Sequence, residues 1–113
     1  MTNQFIQLLG KTMKNVSSDQ KTMTFEREDG EEFRFFHQQE CCEEVYIEDI
    51  CGELGDLVGS PLIVAEENNS ERHSDDHSST TWTFYRFATI KGHVTVRWCG
   101  VSNGYYSEQV SFR

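Results

Sequence analysis

The chain has 113 residues, 36% hydrophobic and 12% aromatic, with one proline and a formal net charge of −9. That length suits one core and is short for two, and the aromatic content is that of a folded domain rather than a disordered one. The acidity argues against direct binding to a nucleic-acid backbone, which needs clustered Lys and Arg to release counterions.

Met1 to Gly10 has no basic start and no long apolar run, so neither a signal peptide nor a membrane span is expected. The cytoplasm is the expected compartment. Four cysteines in a reducing cytoplasm are expected as buried thiols or metal ligands rather than as disulfides.

Alternation of apolar and polar residues, with turn signals between the runs, dominates the sequence and predicts short antiparallel strands. Leu8 to Val16 pairs with Thr22 to Arg27 across Ser17 to Gln20. Thr22–Arg27 and Glu32–His37 flank Glu28-Asp-Gly-Glu31, where Asp-Gly suits a type I′ hairpin turn. Ile47, Ile50, Leu54, Leu57 and Val58 recur at helical spacing before Gly59 and Pro61, which predicts one short helix near 50–58. Gly52 and Gly55 weaken that helix by roughly 1 kcal/mol each relative to Ala, so only a turn or two is expected to survive.

Leu62 to Ala65 reads as a buried strand, and the wholly polar stretch Asn68 to Thr80 as a flexible loop. Trp82–Ile90, His93–Trp98 and Tyr105–Phe112, separated by Lys-Gly and Asn-Gly turns, predict a three-stranded meander. The expected fold class is mainly β (α+β): a single domain over residues 1–113, with antiparallel sheets of about six to eight short strands in a small sandwich or half-open barrel.

One segment concentrates the chemistry. His37 to Cys51 holds an imidazole, three of the four thiols and five carboxylates. His37, Cys41, Cys42 and Cys51 are donors that zinc prefers, yet no Cys-x-x-Cys knuckle is present and adjacent strand residues point to opposite faces. A buried thiol is the leading reading for Cys41 or Cys42, and no cofactor is expected. Glu40, Glu43 and Glu44 surround the thiols and raise their pKa, which argues against a cysteine nucleophile with His37 as base. His37 shares a strand face with Phe33 and Phe35, so it is expected as a packed, hydrogen-bonded core histidine.

The carboxylates Glu40, Glu43, Glu44, Glu48 and Asp49 are expected as an exposed acidic surface. They lie within Glu26–Asp56, where twelve acids face only Arg27 and Arg34, while the rest of the chain is close to neutral. The aromatics Trp82, Phe84, Tyr85, Phe87, Trp98, Tyr105 and Tyr106 are expected in the core and on sheet surfaces. Arg86 and Arg97, if cross-strand near Tyr85 or Tyr105, would form a small cationic pocket.

The strings Phe33-Arg-Phe-Phe-His37, Glu40-Cys-Cys-Glu43, Val45-Tyr-Ile-Glu-Asp-Ile50, Trp82-Thr-Phe-Tyr-Arg-Phe-Ala-Thr89, Val96-Arg-Trp98 and Ser102-Asn-Gly-Tyr-Tyr-Ser-Glu108 cover most of the chain after Phe33. This pattern resembles a family of short uncharacterised bacteriophage and prophage proteins. The resemblance implies an accessory protein in a bacterial host cytoplasm and lends no activity to any residue.

The expected function is therefore a non-enzymatic protein that docks its acidic segment on a basic surface of a host protein, such as a defence nuclease, with no membrane or direct nucleic-acid contact. The alternatives are a nucleotide-signal binder using the aromatics, Arg86 or Arg97, with the 68–80 loop as a lid, or a zinc-supported fold.

Overall fold

The computed structural model describes residues 7–75, 77–104 and 106–113, and only the backbone of residues 68–70. Among the described residues, eight strands form two antiparallel sheets. Sheet 1 has the order β1-β2-β3-β8, from β1 (Met13–Ser18), β2 (Thr22–Arg27), β3 (Glu32–Phe36) and β8 (Ser111–Phe112). Sheet 2 has the order β4-β7-β6-β5, from β4 (Glu44–Cys51), β5 (Val64–Ser74), β6 (Ser79–Thr89) and β7 (Gly92–Ser102). The predicted mainly β class holds, and the sheets do not close into a barrel.

The alternation read from the sequence builds the core. Met23, Phe25, Phe33 and Phe35 point inward from sheet 1, and Val45, Ile47, Tyr85, Phe87, Val94, Val96 and Trp98 from sheet 2. Rings meet across the gap: Phe25 and Phe87 lie 4.9 Å apart, as do Phe35 and Tyr85. Such tilted aromatic pairs contribute about 0.5–1.5 kcal/mol each beyond the area they bury.

The β2–β3 hairpin forms where expected, with a different turn. Gly30 has φ +92° and no non-glycine residue has positive φ among the described residues, so Asp29 does not enter a type I′ conformation. The N–H of Gly30 donates to Arg27 and that of Arg27 to Glu31, at 2.9 and 2.8 Å, which places the glycine alone in the left-handed region.

Three expectations need correction, and the short helix is reduced to the least that was expected of it. The helix expected near 50–58 is a single 3-10 turn at Leu54–Leu57, because Ile47 and Ile50 belong to β4 and ladder with Trp98 and Val96 of β7. Leu57 is still buried, so the apolar residues do serve the core without a helix between them. The loop expected over 68–80 is mostly strand: β5 and β6 stay in register out to Ser74 and Ser79, with a bulge between residues 68 and 71. Backbone hydrogen bonds carry this outer part of the hairpin, where residues 68–80 are all polar, and the Asp75 carboxylate closes its turn by accepting from His77 and Ser78 N–H, at 2.8 and 2.7 Å.

The strand expected over Tyr105–Phe112 shrinks to β8 and pairs with β3 of the other sheet, not with β7. Tyr105 itself lies outside the described residues. Finally, the first strand begins at Met13 rather than Leu8, and Leu9 and Thr12 make only isolated bridges to Leu62 and Pro61.

Two connections therefore cross between the sheets. Residues 37–43 run from β3 to β4, and residues 103–110 run from β7 back to β8.

Candidate functional site

These two crossovers meet at His37. The His37 side chain, 5% exposed, and the Glu43 side chain, fully buried, are hydrogen-bonded, with 2.7 Å between Nε2 and Oε2. The other ring nitrogen, Nδ1, lies 2.7 Å from the Gln109 carbonyl. A carbonyl only accepts, so Nδ1 donates to it, and a second proton lies between Nε2 and the Glu43 carboxylate. The imidazole thus fastens the outgoing crossover to the returning one.

Glu43 also organises its own loop. Its carboxylate accepts from the N–H of Glu40 and of Cys41, each at 2.9 Å, and the Gln39 amide donates to the Glu43 carbonyl at 2.5 Å. The His37 hydrogen bond outweighs burial and, with these N–H groups, holds the Glu43 carboxyl down at about 2. Glu43 is 3% exposed, so it does not belong to the acidic surface on which the sequence reading placed it. Val45 and Ile47 are the inward residues of β4; Glu43 continues that parity and turns under the loop.

Cys41 and Cys42 are exposed and joined to each other by a disulfide, against the expectation of a buried thiol. The chain leaves β3 at Phe36, and in this non-strand segment the two neighbours no longer point apart. Cys51 is exposed on β4 with its thiol 3.5 Å from the Asp49 carboxylate, which raises its pKa. Cys41 and Cys42 are thus engaged with each other, His37 with Glu43 and Gln109, and Cys51 with Asp49, and the described residues hold no group of three metal-binding side chains.

The remaining predicted acids stay outside. Glu40, Glu44, Glu48 and Asp49 are all exposed. The last three lie on β4, an edge strand of sheet 2. A bulge between Ile47 and Asp49 places two consecutive acids, Glu48 and Asp49, off the core. Glu48 pairs with Arg97 at 2.7 Å. One backbone contact reaches β4 from sheet 1, the Ile47 N–H donating to the Gln20 carbonyl at 2.7 Å.

Arg86 and Arg97 do lie on neighbouring strands, but not beside Tyr85, which faces the core. They flank Phe84 on the outer face of sheet 2, Arg97 directly opposite it and Arg86 opposite Thr95. Trp82 continues this face beside the buried Cys99, with its indole edge-on to His73 at 5.7 Å.

A second polar centre was not foreseen from the sequence. Glu108, on the returning crossover, accepts from the hydroxyls of Ser79 at 3.3 Å, Thr81 at 2.6 Å and Ser102. Burial works to raise its carboxyl, while these hydroxyls and the Arg72 charge outweigh it and leave the pKa lowered. Gly100 provides the space: a Cβ there would meet the Glu108 Cβ at 2.8 Å. The alternation of Ser79, Thr81, Gly100 and Ser102 on inward positions was the available signal, since polar and small residues at core parity need a polar partner from elsewhere.

The fold and site define a small two-sheet β domain whose buried ionisable groups tie its crossovers together. The chain belongs to the DUF7448 family, a domain of unknown function, whose model matches residues 6–112. No curated protein and no solved structure matches it significantly.

Proposed function

We propose that this domain is a non-enzymatic binding protein of phage type that docks Glu40, Glu44, Glu48 and Asp49 on a basic surface of a host protein. The observation that carries the reading is the concentration of four exposed carboxylates on one edge strand and the crossover leading into it. Carboxylates displayed in a row stand where phosphates would lie on a basic groove, and long-range attraction steers such an encounter. The phage setting rests on the sequence resemblance, which also suggests a host defence protein as the partner. The non-enzymatic reading draws support from His37 and Glu43, whose hydrogen-bonding groups are directed at one another and at backbone.

The test is affinity capture from bacterial host lysate, identification of the retained protein, and titration of the purified pair across a salt series. Glu44→Lys with Asp49→Lys should abolish binding, whereas Glu66→Lys with Glu71→Lys, an equal charge change on β5, should leave most of it. Binding that ignores salt, or falls equally in both variants, refutes the reading.

A second reading has one observation in its favour: Arg86 and Arg97 flank Phe84, an arrangement able to stack a base and hold its phosphate. Thermal stabilisation by a nucleotide that is lost in Arg97→Gln would favour it over the acidic-surface reading.

A further inference from the structure

The outer face of sheet 1 carries a charge arrangement that neither the fold nor the acidic edge uses. Ser17, Thr24 and Arg34 lie in register across β1, β2 and β3. Reciprocal backbone hydrogen bonds between Arg34 and Arg113, both 2.9 Å, extend this row one position past the end of β8. The adjoining pair, Phe35 and Phe112, faces the core with rings 4.8 Å apart. By strand alternation Arg34 and Arg113 point together to the opposite, exposed face.

Directly opposed residues on one face hold their Cβ atoms about 4.5–5.5 Å apart, and like charges so placed are destabilising. Two arginines thus stand side by side on a domain of net charge −9. Arg34 is held partly by Glu32 on its own strand. The Arg113 guanidinium lies over the Phe36 ring at 5.5 Å and makes no ion pair among the described residues.

Beside Arg34 an open groove of about 430 Å³ is lined by Ser17, Ser18, Asp19, Thr22 and Thr24. The Asp19 carboxylate is turned onto the loop backbone, accepting from the N–H of Lys21 and of Thr22 at 2.8 Å each. What the groove offers a ligand is hydroxyls and the Arg34 guanidinium, alongside the Asp19 carboxylate, whose Oδ1 is the oxygen engaged with the loop backbone.

From this geometry we propose that the Arg34–Arg113 row, with the hydroxyls of Ser17, Thr22 and Thr24, binds the phosphate group of a phosphate monoester. Two guanidinium forks and three hydroxyls offer more donors than the two oxygens of a carboxylate can accept, whereas a monoester presents three terminal oxygens and close to two charges. An anion between the arginines converts their repulsion into attraction, and it competes with Glu32 for Arg34. The monoester is either a free metabolite or a phosphorylated side chain of another protein. This site lies apart from the β4 surface and does not depend on it.

The experiment is an amide and arginine side-chain NMR titration of the whole protein, first with inorganic phosphate and then with phosphoserine, at ionic strength held constant with chloride. Saturable shifts confined to Ser17, Thr22, Thr24, Arg34 and Arg113 are expected. Arg34→Gln and Arg113→Gln should each weaken binding about tenfold, the effect of losing one charge-assisted hydrogen bond. Glu32→Gln should tighten it by removing the competitor, and Lys11→Gln, an exposed charge away from the groove, should leave it unchanged. A phosphoserine peptide that binds more tightly than phosphoserine identifies a protein-borne phosphate, and equal affinity a small molecule. Shifts that do not saturate, that chloride reproduces, or that survive both arginine substitutions overturn the proposal.

Discussion

Glu108→Ala is the sharpest test of the idea that buried polar groups hold the returning crossover on sheet 2. The substitution leaves three hydroxyls without their acceptor, and two of their residues, Ser79 and Ser102, are buried. Leaving a buried donor unsatisfied costs about 1–3 kcal/mol, and rearrangement of hydroxyl rotors recovers part of that. A loss of about 3 kcal/mol is expected, a large share of the ~5–15 kcal/mol total of a typical domain. Glu108→Gln keeps an acceptor oxygen and loses the charge, so it should cost about 1 kcal/mol. Urea unfolding followed by circular dichroism measures both. The midpoint should fall in the order wild type, Gln, Ala with the slope unchanged. Because the folded pKa of Glu108 is lowered, its contribution is present above the ordinary carboxylate pKa of 4.5 and is lost as pH falls through the folded value. The gap between wild type and Gln should therefore close in acid. An Ala variant within about 0.5 kcal/mol of wild type would refute the argument, since changes of that size are normal at indifferent surface sites.

Three further predictions concern the outgoing crossover, the cysteines and the backbone. Glu43, held at about 2, should keep its contribution down to pH 4.5 and lose it as pH falls toward 2, so acid unfolding of Glu43→Gln should lack that component of the wild-type curve. Alkylation followed by mass spectrometry should label Cys51 in the native protein, Cys51 and Cys99 after denaturation, and all four thiols only after reduction. Labelling of three or four sites without reductant would show that Cys41 and Cys42 are not joined. Gly52→Ala should be among the most damaging single changes, because φ is +115° and the added Cβ would lie 2.4 Å from the His93 carbonyl. It should destabilise by more than about 2 kcal/mol, from backbone strain and close contact together, readable as a fall in melting temperature of roughly 8 °C or more.

The sequence made the sheets legible and their connections obscure. Phe33 and Phe35, or Val94, Val96 and Trp98, announce an inward face because period-two burial is a local property of each strand. The length of the β5–β6 hairpin was hidden for a complementary reason: its outer half is held by backbone hydrogen bonds, which leave no apolar trace. Ile47 and Ile50 fit a helical stripe and also a strand with a bulge between Ile47 and Asp49, and pairing with β7 decided between them. At the site, His37 was legible as inward-facing from parity with Phe33 and Phe35. Its partners were not, since Glu43, though in step with Val45 and Ile47, is a carboxylate that solvent normally claims, and the Gln109 carbonyl is a backbone group that no residue identity betrays.

The concentration of ionisable residues at His37–Cys51 divides physically into two populations, and that division bears on function. Glu43 is sequestered with His37, where it completes a loop and ties it to residue 109. Glu40, Glu44, Glu48 and Asp49 face solvent, and among the described residues a salt bridge is recorded only for Glu48, with Arg97. An edge strand needs some charge to discourage pairing with another sheet. One or two acids would do that on a strand of eight residues, and β4 carries three with a bulge that adds the third. Protection of the edge therefore accounts for part of the charge, and the excess is what the docking proposal explains. Removing one β4 acid at a time separates the roles: edge protection would appear as concentration-dependent association of the variant, whereas docking would appear as a weakened partner complex with no change in how the protein associates with itself.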